Sequence, residues 1–463
     1  MTFGKFLKEC IEKRGIPKAQ LTKLSGMNRG KLYNVFDGKR KITEDELFSL
    51  IDKAGFSSDE TDKLIDLYFK ELYGKIEFSR IKYLENAIQR DNYTGEPFGF
   101  DSAEVDIKGS IENQKQLINS IAYMFYHDRE IISNYSFLDK EIDNVVFKSV
   151  LNSQTHLIHI MDLSTDELGE ENIERIFASL KYMYNNCFPV SRYTNITQMK
   201  YENMFPYYFV GEKYAILYNN SKGIFIDNID TVKTIRENVY KIASTSTSLG
   251  TKPDDIMFVK SMYEKGSKAE GDATTTFTYY PCIAKYVDYD FMYSVTKDEI
   301  SEKEMLVNVA YEHYSKFYFE HEFTQITTVT GIEKFAETGC FQEIPAVYVN
   351  AASQKQRINI LKKLVSAIDN NELFILDEDK VNMNSGMEIE NHNKKLIING
   401  YDFEKDNFAS NDNFIVSFDD YSITKTFGNF IDYIIHSKKV YSNEYAKRFI
   451  ESLIVKLEHM NIE

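Results

Sequence analysis

The sequence predicts a multidomain protein in which an all-α domain is followed by a large mixed α/β region. Over the first 73 residues, apolar residues recur at helical spacing between helix caps and glycines. From residue 104 onward, helical patterns alternate with short strand-like runs. The chain of 463 residues also exceeds one hydrophobic core, since domains average ~150 residues.

These patterns divide the chain into four segments. We expect a helical domain over residues 1–73 and a helical connector and linker over 74–103, because residues 91–101 are rich in turn formers. Residues 104–280 and 281–463 are predicted to form two halves of the α/β region, with no clear internal repeat. The small, polar segment 265–276 predicts an exposed loop.

Composition and charge limit the class of protein. Hydrophobic residues make up 43% of the chain and aromatic residues 14%, which excludes a disordered chain. The net charge is −16, yet residues 1–55 carry +5, which leaves −21 for the remainder. A basic N-terminus is therefore the candidate polyanion-binding surface, and an acidic remainder would be repelled by DNA. Solubility explains the acidic remainder equally well.

Membrane, metal and disulfide signals are weak. No apolar run approaches the ~18 residues of a membrane span, and no apolar signal segment precedes the first helix, so we expect a cytoplasmic protein. The cysteines Cys10, Cys187, Cys282 and Cys340 form no CxxC pair, which predicts reduced thiols.

A helix, a tight turn at Gly26 and a second helix are predicted between Ile16 and Arg40. Asn28 is the expected N-cap of the second helix, whose first turn would then reach base edges in DNA. The residues predicted to contact DNA are Lys18, Asn28, Arg29, Lys31, Asn34, Lys39 and Arg40.

The flanking sequence completes a small helical domain. A first helix is expected over residues 3–14 because apolar residues recur there at helical spacing. Thr43 with Glu46, and Ser57 with Glu60, are spaced as capping boxes that begin two further helices.

The residues of this segment also carry a family resemblance. The matching positions are Leu21, Thr22, Gly26, Met27, Asn28, Arg29, Leu32, Val35 and Gly38, followed by Lys39 and Arg40. Over about its first seventy residues the chain resembles the lambda-repressor-like helix-turn-helix family of Cro and Xre regulators. The resemblance implies binding to double-stranded DNA as a homodimer that spans two half-sites ~34 Å apart.

Two histidine patterns are candidates for chemistry. His156, His159 and Asp162 have a spacing that suggests a metal site, but on a strand residues three apart point to opposite faces. We therefore predict no metal site. The sequence also has no Gly-rich phosphate-binding loop, and we predict no cofactor.

The second pattern is His392, Lys394 and Asn399, which resembles the His-x-Lys-x-x-x-x-Asp motif of phospholipase-D-like phosphodiesterases. The resemblance implies a histidine nucleophile and a phosphate-binding lysine, but Asn399 replaces the aspartate. The candidate second copy, His127-x-Arg129 with Asn134, departs at two of three positions. A polar turn before a buried strand is the favoured interpretation. A degenerate phospholipase-D-like body that retains binding is compatible with it, and no catalytic residue is predicted.

The sequence therefore predicts a sequence-specific DNA-binding transcriptional regulator that is not an enzyme. Its C-terminal region would serve sensing, oligomerisation or partner binding, with an unknown small molecule, peptide or protein as effector. Two alternatives are a phosphodiesterase or nuclease targeted to DNA, and an autoregulated defence or mobile-element protein.

Overall fold

A computed structural model describes most of the chain. The described residues are 1–89, 109–165, 171–184, 187, 189–194, 196, 198, 203–251, 273–311, 318, 321–341, 348–392, 395–400 and 414–459. The turn-rich segment predicted at residues 91–101 lies outside them.

The chain forms two compact units that are not simple halves of the sequence. A helical unit contains residues 1–83 together with 429–440, and an α/β unit contains residues 84–428 together with 441–463. This confirms the predicted fold class, an all-α N-terminal region followed by a mixed α/β region. The sequence contains no local sign that residues 429–440 join the N-terminal helices.

The helices of the N-terminal region follow one another closely. They are α1 (Phe3–Arg14), α2 (Lys18–Ser25), α3 (Arg29–Phe36), α4 (Glu44–Ala54), α5 (Ser58–Tyr73) and α6 (Lys75–Ala87).

Local sequence explains where these helices begin and end. Asn28 caps α3 by accepting from the Lys31 backbone N–H, and Thr43 and Ser57 form the capping boxes of α4 and α5. Gly26 ends α2 with φ +69°, a backbone conformation that other residues rarely adopt. The predicted helix bounds, N-cap and capping boxes are thus confirmed.

The core of the helical unit is apolar and closely packed. Leu7, Leu21, Leu32, Leu47 and Leu64 are fully buried. A Cβ atom at Gly4 would lie 2.0 Å from the Val35 carbonyl oxygen, so glycine allows α1 to approach the C-terminal end of α3.

The α/β unit contains two mixed sheets. Its strands are β1 (Gly109–Ile111), β2 (Glu130–Ser133), β3 (His156–Ser164), β4 (Val190–Thr194), β5 (Tyr207–Val210), β6 (Ala215–Asn219), β7 (Lys222–Ile226), β8 (Thr247–Ser248), β9 (Gly250–Thr251), β10 (Ala273–Thr278), β11 (Glu322–Thr327), β12 (Leu373–Ile375), β13 (Met387–Asn391), β14 (Leu396–Gly400) and β15 (Phe414–Phe418).

Helices lie between and after these strands. They are α7 (Gln114–His127), α8 (Lys140–Asn152), α9 (Asn172–Tyr184), α10 (Ile229–Thr245), α11 (Tyr289–Val295), α12 (Lys303–Val309), α13 (Val329–Thr338), α14 (Gln354–Asp369), α15 (Tyr421–His436) and α16 (Asn443–His459). A 3₁₀-helix spans Ala284–Tyr286.

Apart from β8, which pairs with β4 and has no counterpart among the described strands of the second sheet, the two sheets share one topology. The first has the order β1-β7-β6-β5-β2-β3-β4-β8, and the second, read from the other edge, β9-β15-β14-β13-β10-β11-β12. In each, three parallel strands adjoin an antiparallel three-stranded meander, and a short strand pairs with the last strand of the meander. The α/β unit therefore contains an internal structural repeat, although the sequence shows no clear internal repeat.

Segment 265–276 was predicted to be an exposed loop, but its last four residues begin β10, where Thr274 and Thr276 are buried. This part of the prediction is wrong because β-branched threonines suit a pleated, buried strand better than a loop. Residues 212–219 and 223–227 alternate in sequence like the two strands of a hairpin, and this prediction is confirmed, since β6 and β7 pair antiparallel.

No helix among the described residues is long and apolar enough to cross a membrane. The four cysteines are free thiols, and all except the half-buried Cys340 are buried.

Candidate functional site

The solvent-facing side of α3 is the first candidate site. Leu32, Val35 and Phe36 turn into the core of the helical unit. The opposite side exposes Arg29, Gly30, Tyr33 and Asn34, which recur at helical spacing. This exposed stripe presents hydrogen-bond donors along the helix, with nothing from the described core covering it.

Arginine and lysine side chains lie at both ends of this stripe. At its start, the Arg29 guanidinium lies 5.9 Å from the centre of the Tyr33 ring. After α3, the backbone N–H groups of Lys39 and Arg40 donate to the Asn34 carbonyl at 2.8 Å and 3.2 Å. Both residues are exposed and held beside the end of the helix. Tyr33 was missed by the sequence analysis, although its spacing of four residues from Arg29 places it on the same face.

Lys31 has a different environment from its neighbours. Its Nζ forms an ion pair with Glu46, and the two side chains are only 14% and 18% exposed. Glu46 also accepts from the Thr43 backbone N–H at 2.9 Å, as part of the α4 capping box. Burial by itself raises the pKa of Glu46. Hydrogen bonds from Lys31 and Thr43 together lower the pKa by more than burial raises it, so the net shift of the pKa is downward. Lys31 thus ties the first turn of α3 to the first turn of α4.

We predict that Lys31 stabilises the domain instead of selecting bases. Lys31→Ala leaves a partly buried carboxylate without its partner, so the free energy of unfolding should fall by ~1 kcal/mol. A double-mutant cycle with Glu46→Gln, measured by urea unfolding, should give a coupling of ~0.5–1 kcal/mol. Lys39→Ala is the control, because its ion pair with Asp37 is 70% and 57% exposed. Equal losses for Lys31→Ala and Lys39→Ala would contradict this role.

The other predicted contact residues are placed as follows. Asn28 is exposed, but its side-chain oxygen is engaged in capping α3. Lys18 is the first residue of α2, and its side chain lies outside the described part of the structure. The structure therefore groups Arg29, Asn34, Lys39 and Arg40 on one exposed surface.

The second candidate site is a buried polar cluster on β13 and β14. It comprises Glu388, Glu390, His392 and Asn399, each no more than 5% exposed. The Asn399 amide donates to Glu388 at 3.1 Å and to Glu390 at 3.2 Å. His392 Nε2 lies 3.0 Å from Glu390 Oε2, and its Nδ1 lies 3.1 Å from Thr274 Oγ1.

The chemistry of this cluster differs from the sequence motif. Both imidazole nitrogens of His392 are engaged, and Tyr318 donates to Glu390 at 3.1 Å. Lys394, the predicted phosphate-binding residue, lies outside the described residues. The described groups form a buried network in which the Glu390 carboxylate contacts the histidine and the Glu388 carboxylate contacts Asn399, an environment that disfavours an anionic phosphate.

The internal repeat identifies the true counterpart of this hairpin. A four-residue loop follows Val210 in the first sheet, and a four-residue loop follows Asn391 in the second. The two strand residues that flank each loop pair with each other, and a backbone hydrogen bond joins the first and last residues of the loop. By this register Gly211 corresponds to His392, and Tyr218 corresponds to Asn399. The residues of the candidate second motif, His127, Arg129 and Asn134, lie instead at the end of α7 and around β2.

The first sheet has no room for a histidine at the equivalent position. A Cβ atom at Gly211 would lie 2.0 Å from Asp128 Oδ2. Asp128 is buried and accepts from the Lys213 backbone N–H at 3.0 Å. The carboxylate therefore occupies the space that a side chain at position 211 would need.

Aromatic rings fill the rest of the equivalent surface. The rings of Tyr207 and Tyr218 lie 5.4 Å apart, and Phe209 stacks on Tyr135 at 5.5 Å. Register places Tyr207 and Phe209 where the second sheet has Glu388 and Glu390. Because one repeat fills this position with aromatic rings, the fold itself does not require the polar groups of the other.

His159 on β3 is enclosed by the same aromatic cluster. Its ring lies 4.2 Å from that of Phe137 and 4.7 Å from that of Tyr135. Among the described residues, neither ring nitrogen has a hydrogen-bond partner. Burial, with a smaller contribution from nearby Arg175, lowers the pKa of His159 to about 3.

We predict that His159 makes the protein acid-sensitive. Between pH 6.5 and about 3 the unfolded chain binds a proton at His159 that the folded chain does not. The contribution of neutral His159 to the free energy of unfolding is therefore present above pH 6.5. As the pH falls below 6.5, the free energy of unfolding should decrease by ~1.4 kcal/mol per pH unit. Urea unfolding of His159→Phe from pH 7 to pH 5 should show a shallower decline than the unsubstituted chain. The control variant His156→Phe, at an exposed position on the same strand, should not show this shallower decline.

A metal site is not formed by the residues first considered. His156 is exposed and lies near Glu130, whereas Asp162 is buried against Arg192. Across the described ranges, no group of three or more His, Cys, Asp or Glu side chains is arranged to hold a metal ion.

Comparison with known proteins gives distant structural similarities. No protein-family model matches the sequence, and no curated protein matches it. TrmBL2, an archaeal chromatin protein described as showing a novel mode of DNA binding, matches 50% of this chain and 87% of its own at 12% identity and TM-score 0.22. Phosphatidylserine synthase of Haemophilus influenzae Rd KW20 matches 83% of this chain and 98% of its own at 9% identity and TM-score 0.23. At such low TM-scores neither similarity indicates the function of this chain.

Proposed function

We propose that the protein is a sequence-specific DNA-binding transcriptional regulator of the helix-turn-helix class. The observation that supports this most directly is the uncovered face of α3, where Arg29 and Asn34 are exposed on a helix whose other face is fully buried. A helix presented in this way fits the major groove of DNA, and its N-terminal residues reach base edges.

Charge supports the same proposal. The positive charge is concentrated in the first 55 residues, at +5, while the remainder carries −21. Lys39 and Arg40, held beside the end of α3, are suited to phosphate contacts that fix the orientation of the helix. We further propose a cytoplasmic homodimer that binds two half-sites, with the α/β unit serving an effector or partner.

The test is selection of DNA by the full chain from a random duplex library, followed by fluorescence anisotropy at several salt concentrations. A specific regulator should enrich a sequence motif and bind it ~10³-fold or more tightly than unrelated duplex. Its affinity should also fall steeply with salt. Enrichment of no motif, with equal affinity for every duplex, would rule out sequence-specific regulation.

We also propose that the α/β unit does not hydrolyse phosphodiesters. In the first sheet, the position equivalent to His392 is Gly211. Both ring nitrogens of His392 contact groups of the buried network. Without a second histidine, no described group is placed to protonate the leaving oxygen, a contribution worth ~10²–10⁴ in rate.

This second proposal is tested with purified protein on single-stranded DNA, double-stranded DNA and bis(p-nitrophenyl) phosphate. We expect no turnover above background, and the same result for His392→Ala. Hydrolysis that disappears in His392→Ala would instead establish the phosphodiesterase alternative.

A further inference from the structure

The start of α3 presents one arginine side chain to solvent. Arg29 is exposed, and the next residue, Gly30, has no side chain. The side-chain oxygen of Asn28 accepts from the Lys31 backbone N–H. The Lys31 ammonium group is paired with Glu46. Among these described side chains, Arg29 is therefore the one whose charged group is placed to reach a base edge.

Gly30 is not required by the packing of the helical unit. A Cβ atom at this position would lie 3.5 Å from Asn28 Oδ1, an ordinary van der Waals distance. Glycine inside a helix is also less favourable than alanine. The absence of a side chain beside Arg29 therefore suits close approach of α3 to the floor of the major groove.

The Arg29 guanidinium lies over an aromatic ring from the next turn of the same helix. Its central carbon is 5.9 Å from the centre of the Tyr33 ring, within the ~6 Å range of a cation–π attraction. The spacing of four residues places both side chains on one face of the helix. Tyr33 therefore restricts the orientations that the long Arg29 side chain adopts.

The Tyr33 ring is in turn held by the core of the helical unit. Its centre lies 6.4 Å from that of the Phe36 ring at an interplanar angle of 80°, an edge-to-face arrangement that aromatic pairs favour. Phe36 is 6% exposed, whereas Tyr33 is 37% exposed. A chain of contacts thus runs from the core through Phe36 and Tyr33 to Arg29.

A guanidinium group with a fixed plane matches one base edge in the major groove. Guanine presents two acceptors there, O6 and N7, and the rigid fork of arginine N–H donors binds both at once. Adenine presents one acceptor and one donor, and arginine has no acceptor for that donor. Removal of water on binding also strengthens the attraction between the guanidinium and the ring.

We propose that Tyr33 is a positioning residue that holds Arg29 for a bidentate contact with one guanine of the DNA motif. The inference rests on the proposed function, because it specifies a base that this function reads through α3. Tyr33 acts through Arg29 and does not itself contact the guanine.

The test uses the full chain and the motif enriched from the random duplex library. Fluorescence anisotropy with single base-pair changes gives, at each position, the ratio of the affinities for the motif and for the changed duplex. At the guanine, this discrimination ratio should be about 10-fold to 100-fold for the unsubstituted chain. In Arg29→Ala the ratio should be lost at that position and retained at the others.

Three substitutions of Tyr33 separate the ring from its other properties. Tyr33→Ala should lower the discrimination ratio at the guanine by about 3-fold to 10-fold and leave the other positions unchanged, since Arg29 must then be ordered on binding. Tyr33→Phe keeps the ring and should retain the ratio. Tyr33→Leu is apolar without being aromatic and should behave like Tyr33→Ala, and it replaces that variant if Tyr33→Ala does not fold.

A double substitution shows whether Tyr33 acts through Arg29. Adding Tyr33→Ala to Arg29→Ala should cause no further loss of affinity, because both changes remove the same contact. A further loss would overturn the proposal, since Tyr33 would then contact DNA directly. An equal loss at every position in Tyr33→Ala would overturn it too, because Tyr33 would then support α3 as a whole.

The identity of the base gives a separate check. A base other than guanine at the position that Arg29→Ala affects would contradict the proposal, and so would full discrimination by Tyr33→Leu. An enriched motif whose recognition is unchanged in Tyr33→Ala would reject this inference and leave the proposed function valid. Enrichment of no motif would reject the proposed function as well.

Discussion

Replacing Arg29 and Asn34 together by alanine is expected to weaken binding to the selected DNA motif by about 2–6 kcal/mol, because each base contact is worth ~1–3 kcal/mol. This corresponds to a loss of roughly 30-fold to 20,000-fold in affinity. Both side chains are exposed on the same face of α3, so their removal leaves the buried core untouched. Fluorescence anisotropy with the enriched motif and a scrambled duplex measures the effect.

The pattern of loss matters as much as its size. The double substitution should reduce preference among sequences, whereas Lys39→Ala should weaken all duplexes alike and lower the salt slope by about one. Arg448→Ala is a suitable control, since Arg448 is exposed on α16 in the α/β unit. Unaltered affinity for the enriched motif after the double substitution would show that α3 is not the recognition helix.

The helical domain could be predicted from sequence because its signals are local. Asn28, Thr43 and Ser57 each act on backbone groups within three residues, so the sequence alone locates the starts of α3, α4 and α5. The ion pair between Lys31 and Glu46 is different. It joins residues 15 positions apart, and only the crossing of α3 and α4 brings them together.

The α/β unit could be predicted only in part. Its helices and several strands follow from periodicity, but the internal repeat lies in strand order and not in residue identity. Equivalent positions hold Gly211 and His392, or Tyr218 and Asn399, so no pattern search would match them. Local signals likewise cannot show that α15 contributes to the core of a domain more than 300 residues earlier in the chain.

Tyr433 gives the second large expected effect. Tyr433→Ala removes a fully buried ring that lies against Phe69 and Phe78, and large-to-small substitutions of buried aromatic residues cost ~3–5 kcal/mol. Tyr433→Phe retains the ring and loses the hydroxyl, which donates to Asp66 and accepts from Lys82 at 3.3 Å, and each such hydrogen bond is worth ~1 kcal/mol. Urea unfolding of the full chain, followed by hydrogen exchange in α5, separates these two contributions.

The same substitution bears on which part of the chain can bind DNA by itself. The local sequence signals predict that a fragment of residues 1–73 binds DNA alone, but in the structure Phe69 packs against Tyr433, and Tyr73 donates to Asp432. Such a fragment lacks these contacts, so we expect it to be less stable than the unit by about the cost of Tyr433→Ala. If the fragment and the full chain bind the motif equally, and Tyr433→Ala leaves both stability and affinity unchanged, residues 429–440 are dispensable for the DNA-binding unit.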